Sequence, residues 1–255
     1  MRARRPAPHD SVPFARPAAT VLGRRAAAGR VLPLSAVALA AAAVARATTA
    51  PAPVGLLLVL ATDASGSMDA DEFRLQREGI AEGLSHPAVL AAVASRAVPA
   101  VGVALVEWGS PGGAQTVLGW ARLDGRDPAS ARALAGAVLA APLSRQSWNA
   151  IGDALDHAAA LMEAAPWRGV AERVVDVSGD APDMRSLRPV EAAREDAAAA
   201  GITVNALAIS TGGRPGLAEA YRRTVVAGPG AFVVEAEGRE DFARALRAKL
   251  VREVA

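Results

Sequence analysis

The sequence contains no cysteine among its 255 residues, which removes disulfides, thiolate metal sites and cysteine nucleophiles together. It has three histidines, and with His9 in the first fifty residues only His86 and His157 remain, without H-E-x-x-H or any comparable zinc spacing. A G-x-S-x-G elbow and a phosphate loop of the G-x-x-x-x-G-K type are also missing. Aromatic residues make up 4% of the chain, and Trp108, Trp120 and Trp148 read as core. An excess of positive charge is lacking where it would matter. The sequence pI of about 9.8 points towards nucleic acid or membrane, but residues 1–47 hold eight of the 28 Lys+Arg and only one acid, Asp10. From residue 48 onward, 20 basic side chains face 25 acidic ones, a net of −5, so no nucleic-acid partner is expected.

What is present begins with a leader. Arg24, Arg25 and Arg30 precede an apolar stretch from Val31 to Ala45, and Ala45-Arg46-Ala47 forms a small-x-small cleavage site. The expectation is an export signal over 1–47, a mature start at Thr48, a short linker over 48–54 and one domain over 55–255, with a periodic pattern continuing to the last residues. The stretch is short and Ala-rich for a membrane span, so no stable insertion is expected after cleavage, and an uncleaved anchor is the alternative. The address implied is periplasmic or secreted.

Past Gly55, short apolar runs alternate with helical periodicity, the order that predicts an α/β fold: a doubly wound, mostly parallel sheet with helices on both faces. Leu56 to Thr62 (LLLVLAT) is an unbroken apolar run of strand length, as a central strand buried on both faces requires. Asp69 and Glu72 mark a helix start, followed by Phe73, Ile80 and Leu84 at helical spacing. Val101–Trp108 and Gln115–Trp120 read as strands joined by a Gly-Ser-Pro-Gly-Gly turn, making one antiparallel edge. Helices are expected over Pro128–Ala140, along the Ile151, Leu155, Ala158, Met162 stripe, over Pro189–Ala200, around Tyr221, and along Phe242, Leu246, Leu250 and Val254. The remaining strands are expected over Arg173–Ser178, Ile202–Ile209 and Phe232–Val234. Chemistry in such a sheet belongs in the loops beyond the carboxyl ends of the strands.

The first of those loops is Asp63-Ala64-Ser65-Gly66-Ser67-Met68-Asp69. A carboxylate and two hydroxyls alternate along it, a set of hard oxygen donors suited to Mg2+ or Mn2+, and Gly66 lets the loop curl so that both hydroxyls face one point. The competing reading is that Ser65, Ser67 and Asp69 only cap the helix that follows.

DASGS after LLLVLAT resembles the metal-ion-dependent adhesion site of von Willebrand factor A domains. In that family a Thr before a helix and an Asp after the fourth strand complete the cation site. Asn149-Ala150-Ile151-Gly152-Asp153-Ala154-Leu155 is similar to the family's T-x-x-G-x-A-L segment, with Asn149 in the Thr position as either ligand or plain helix N-cap. Arg173 to Asp180 resembles the strand that ends in the family's T-D-G, which makes Asp180 the implied carboxylate, with Asp176 and Asp183 as competitors. Leu75–Gly79, Glu107-Trp108, Asp176–Asp180 and Gly228–Phe232 are similar to an uncharacterised family of exported bacterial proteins of this fold. The metal set implied is therefore Asp63, Ser65, Ser67, Asn149 and Asp180. Glu107 is either an acceptor orienting a ligand or bound water near the ion, or a solvated strand-end carboxylate. The resemblance implies metal-dependent binding of a partner protein, through an acidic side chain that completes the coordination. Two other functions compete with it: a Mg2+-dependent hydrolase, disfavoured because Ser65 stands where an aspartyl phosphatase has its second Asp, and a metal-free scaffold.

Overall fold

The LLLVLAT run is apolar throughout because it is covered twice. In the computed structural model, which describes residues 50–66, 68–210 and 216–255, β1 spans Leu56–Asp63 and every residue of it is buried. Leu56, Leu58 and Leu60 pack into one core and Val59 and Ala61 into another, as the two-residue period of a strand dictates. The leader and Ser67 lie outside the described residues.

Around β1 the chain adds α1 (Ala70–Ser85), α2 (Pro87–Ser95), β2 (Ala100–Trp108), β3 (Gln115–Asp124), α3 (Pro128–Ala140) and α4 (Ile151–Glu163). It continues through β4 (Glu172–Gly179), α5 (Val190–Ala199), β5 (Thr203–Ile209), α6 (Leu217–Thr224), β6 (Val233–Ala236) and α7 (Phe242–Val254). The strand order is β3-β2-β1-β4-β5-β6, parallel except for the antiparallel β2/β3 hairpin, whose register shifts at Leu105. One core lies under α1, α2, α3 and α7, with Ile80, Val89, Leu134 and Leu246 in it; the other lies under α4, α5 and α6, with Leu155, Ala193 and Tyr221. The expected α/β architecture is therefore the observed one. The nine-residue α2 is an addition to it, started by Pro87 at its first turn with the His86 ring accepting from the Ala88 N–H.

Two fully buried ionic contacts stitch the layers. Arg77 of α1 donates through Nε (3.1 Å) and Nη2 (2.5 Å) to Glu107 of β2. Lys249 of α7, the one lysine in the sequence, has its Nζ 2.6 Å from Asp176 of β4 and 2.5 Å from Glu253, while Asn205 of β5 donates to the same Glu253 oxygen at 2.8 Å. Burial, with the Asp176 charge adding to it, pushes the Glu253 carboxyl up to about 8, so one cation serves two acids and a proton makes up the difference.

Candidate metal centre

The sheet reverses its winding between β1 and β4, and the crevice between their carboxyl ends is where such a fold opens a site. Asp63 is the last residue of β1 and Asp180 follows the end of β4, so the order of strands alone puts both carboxylates there.

Local hydrogen bonds hold the loops in place. Gln76 of α1 donates to the Asp63 carbonyl (3.0 Å) and the Ala64 N–H donates to the Trp108 carbonyl (2.8 Å). Asp69, the side-chain cap of α1, accepts from the Asp71 and Glu72 N–H groups while its own N–H donates to Glu72, the reciprocal box that its spacing predicted. Gln146 joins three loops: its N–H donates to the Ala64 carbonyl, its amide donates to the Gly113 carbonyl (2.8 Å), and its side-chain oxygen accepts from the Ser110 N–H (3.0 Å). Gly109 is required for this junction, because a Cβ there would lie 2.5 Å from the Gln146 Cβ and 2.8 Å from the Trp148 carbonyl. Gly66, by contrast, does not take positive φ, and a Cβ there would make only ordinary contacts; the curl expected to bring the Ser67 hydroxyl round lies outside the described residues.

Asp63 is 2% exposed; its Oδ1 accepts from the Ser65 N–H at 2.7 Å, and its Oδ2 is buried with no hydrogen-bond partner among the described residues. Burial, with the Asp180 charge adding to it, raises its carboxyl to about 7 against the lowering effect of the Ser65 backbone and side-chain bonds and, more weakly, of Arg239. Asp180, also buried, accepts from Arg239 Nη2 at 2.7 Å, and the same guanidinium sits 2.7 Å from Glu72. Asn149 has a buried Oδ1 without a partner among the described residues, and α4 carries no side-chain cap from its own N-cap residue. The helix start is served from outside: Asp183 Oδ1 accepts from the Ile151 (2.8 Å) and Gly152 (3.2 Å) N–H groups. Asn149 is thus not the side-chain cap of α4, and Asp183 is engaged by a helix end, as Asp176 is by Lys249. The loop after β4 is fixed further by Tyr221, whose hydroxyl donates to the Ala181 carbonyl at 2.7 Å and is itself pushed well above its usual range by burial and by the charges of Asp63, Asp180 and Asp183.

Glu107 is fully buried, so the solvated alternative fails; with one oxygen on Arg77 and the other accepting from the Ser144 N–H (2.6 Å), it anchors the loop that leads to Asn149. Among the tryptophans, Trp108 is core and Trp120 stacks edge-on against Trp167 at 6.3 Å, whereas Trp148 is 41% exposed, against expectation. It sits beside Asn149, which bridges to Met184 in the loop after β4, and its ring lies under the Arg185 guanidinium. The residues that sequence reasoning missed are Arg239 and Gln146, each of which acts across more than thirty positions and belongs to no local motif, and the pairing of Arg77, which lies in the quoted Leu75–Gly79 segment, with Glu107 thirty positions on.

Among the described residues no group of three or more His, Asp or Glu side chains is arranged to hold an ion. The oxygens that the loops around the switch point supply are of a different kind, carboxylates of Asp63 and Asp180 and the amide of Asn149. Two of these oxygens, Asp63 Oδ2 and Asn149 Oδ1, are buried and unpartnered in a region of net negative charge. That chemistry fits a hard divalent cation.

The comparisons with known proteins agree with this architecture. Among curated proteins none matches. A von Willebrand factor type A protein from Catenulispora acidiphila is 17% identical with a TM-score of 0.52, over 79% of this chain and 43% of that one. Proximal thread matrix protein 1 from the mussel byssus, solved with a zinc-occupied MIDAS motif, is 17% identical with a TM-score of 0.54, over 79% and 46%. The chain therefore spans less than half the length of either. The vWF domain of the type V pili tip protein Mfa5 from Porphyromonas gingivalis is 11% identical with a TM-score of 0.53, over 77% of this chain and 94% of that one. These likenesses establish a von Willebrand factor A-like fold. A family profile described as "Protein of unknown function (DUF1194)" matches residues 53–255, and the chain belongs to that family.

Proposed function

We propose that this protein is an exported, divalent-cation-binding module that captures a partner protein through the open side of its ion. The observation that carries the reading is the Asp63 carboxylate, buried at the topological switch point with one oxygen unpartnered. Leaving such a group without a counter-charge is costly, and a cation removes the cost. Asp63, Ser65, Ser67, Asn149 and Asp180 would hold the ion, and their oxygen-only character favours Mg2+ or Mn2+ over softer ions. The ion supplies a Lewis-acidic position for an acidic side chain of the partner. The protein's own part is to hold Asp63 and Asn149 rigidly through Gln76, Gln146 and Glu107, so that little ordering remains to be done when the ion binds. Residues 1–47 would direct export and leave a chain beginning near Thr48, which N-terminal sequencing of protein recovered from its host checks; a start at Met1 in cytoplasmic material would remove that part of the reading.

Titration calorimetry with Mg2+ and Mn2+ tests the centre. The wild type should bind and Asp63→Ala should not, with unchanged circular dichroism, because Asp63 ends a strand whose packing depends on the leucines before it. Absence of binding by the wild type, or equal binding by Asp63→Ala, overturns the metal centre.

A further inference from the structure

Among the described residues, six large hydrophobic side chains are more than a third exposed: Leu75, Leu139, Leu143, Trp148, Met184 and Leu187. None lies on the outer faces of α2, α4, α5, α6 or α7. Leu75 is in the second turn of α1, Leu139 in the last turn of α3, Leu143 and Trp148 in the loop leading to Asn149, and Met184 and Leu187 in the loop after β4. All of these segments meet at the end of the sheet that holds Asp63 and Asp180. Exposed apolar side chains concentrated at one end of a molecule mark an interaction surface.

This surface is built rather than frayed. The Met184 N–H donates to the Asn149 carbonyl at 2.7 Å, which locks the two apolar loops together. Asp153 of α4 accepts from the Gly112 N–H (2.7 Å) and the Leu187 N–H (2.9 Å), and so fixes the hairpin turn against Leu187. Between them, Arg185 is the one non-glycine residue with positive φ (+73°) among those described, and its guanidinium lies 4.6 Å from the centre of the Trp148 ring. Arg185 forms no ion pair with a described residue, and neither does Arg145 in the Trp148 loop, whereas the acids of this end are engaged by backbone N–H groups or by Arg239.

We infer that Trp148, Met184 and Leu187, with Arg185 over the indole, form a docking surface for an extended protein segment that carries acidic residues beside a large apolar side chain. The apolar side chain covers Trp148, Met184 and Leu187, and an acid next to it pairs with Arg185. The inference rests on the proposed metal centre for where a further acid of that segment would go, but the docking surface stands on its own residues. A partner of acidic character alone would leave the apolar surface exposed, and an apolar partner alone would leave Arg185 stripped of water without a counter-charge.

The test is selection of a random dodecapeptide display library on the protein in Mg2+, followed by fluorescence anisotropy of the most enriched peptide. The expected result is enrichment of Asp or Glu within two positions of Trp, Phe or Leu, with affinity falling about tenfold in Arg185→Glu and in Leu187→Ser. Both side chains are exposed, so neither change threatens the fold, and Mg2+ affinity should stay as in the wild type. Enrichment of acidic peptides without apolar residues, no enrichment at all, binding to anionic phosphatidylglycerol vesicles in place of peptides, or indifference to both substitutions overturns the inference. Peptide capture that survives in EDTA and in Asp63→Ala but is lost in Arg185→Glu would refute the metal centre while leaving the docking surface intact.

Discussion

At the scale of single residues, the decisive feature is the division of labour among the acids. Asp183 caps α4, Asp176 shares Lys249 with Glu253, Glu107 holds Arg77 and Ser144, and Asp63, at the loop end of β1, has an oxygen without a partner among the described residues. Asn149 follows the same logic. Because Asp183 serves the helix end, Asn149→Ala should leave thermal stability nearly unchanged yet weaken Mg2+ binding, while Asn149→Thr should preserve it; calorimetry on the two variants compares them directly. Glu107→Ala should behave in the opposite way. It strands a buried guanidinium and a buried N–H, a change that costs about 3–5 kcal/mol in comparable sites, and the melting temperature should drop on the order of 10 °C before any metal is added. A fall of only a degree or two would show that Glu107 is not the anchor described.

Titration adds a second residue-scale expectation. Glu253 sits at about 8 when folded against an ordinary value of 4.5, so the folded chain keeps a proton that the unfolded chain releases. Its contribution to stability is therefore lost as pH rises from about 4.5 to 8. Asp63, raised to about 7 from 3.8, acts in the same direction over a lower window in the absence of a cation. Melting curves in EDTA should show both slopes. Mg2+ should remove the Asp63 part by holding that carboxylate ionised, and Glu253→Gln should remove the upper part alone. A wild-type melting temperature that rises steadily from pH 5 to 8 in EDTA would contradict the assignment.

At the scale of elements, the loop after β1 is one of three segments joined by Gln146, and the junction closes only because residue 109 has no side chain. Gly109→Ala should push the 144–149 loop outward, weakening Mg2+ binding with the sheet still formed, as far-ultraviolet dichroism and calorimetry together will show. The elements were largely legible in the sequence. The strand of β1 announces itself by six apolar residues in a row, and α4 and α7 by stripes that prove to be buried at Ile151, Leu155, Phe242 and Leu246. Helix α2 escaped because its run of Ala and Val has no polar face to give a period, and β3 runs four residues longer than expected because Ala121 to Asp124 stay paired with Ala100 to Val103 of β2, with Leu123 buried between the polar Arg122 and Asp124. Within the site, Asp63, Asp180 and Asn149 could be found because each follows a strand or precedes a helix with a recognisable pattern. Arg239 could not, since it reaches Asp180 from a loop 59 residues away whose own sequence carries no signature.

At the scale of the whole domain, the two ends of the sheet are unlike. The end beyond the carboxyl termini gathers the exposed apolar side chains, with Arg185 among them, whereas the opposite end packs Val54, Leu57, Ala100 and Ala165 under Trp120 and Trp167. The lateral edges are short or irregular: β6 has four residues, and β3 pairs with β2 through shifted register. Strand-to-strand association is thereby discouraged, and partners are left the loop end.

Lys249 has one consequence outside function. It is the only lysine, its side chain is wholly shielded, and beyond it the chain offers amine reagents nothing but an amino terminus. The native domain should therefore resist reductive methylation at this position, and the rate at which Lys249 becomes modified should report how often α7 lifts from the sheet, a built-in clock for that opening that needs no engineered probe.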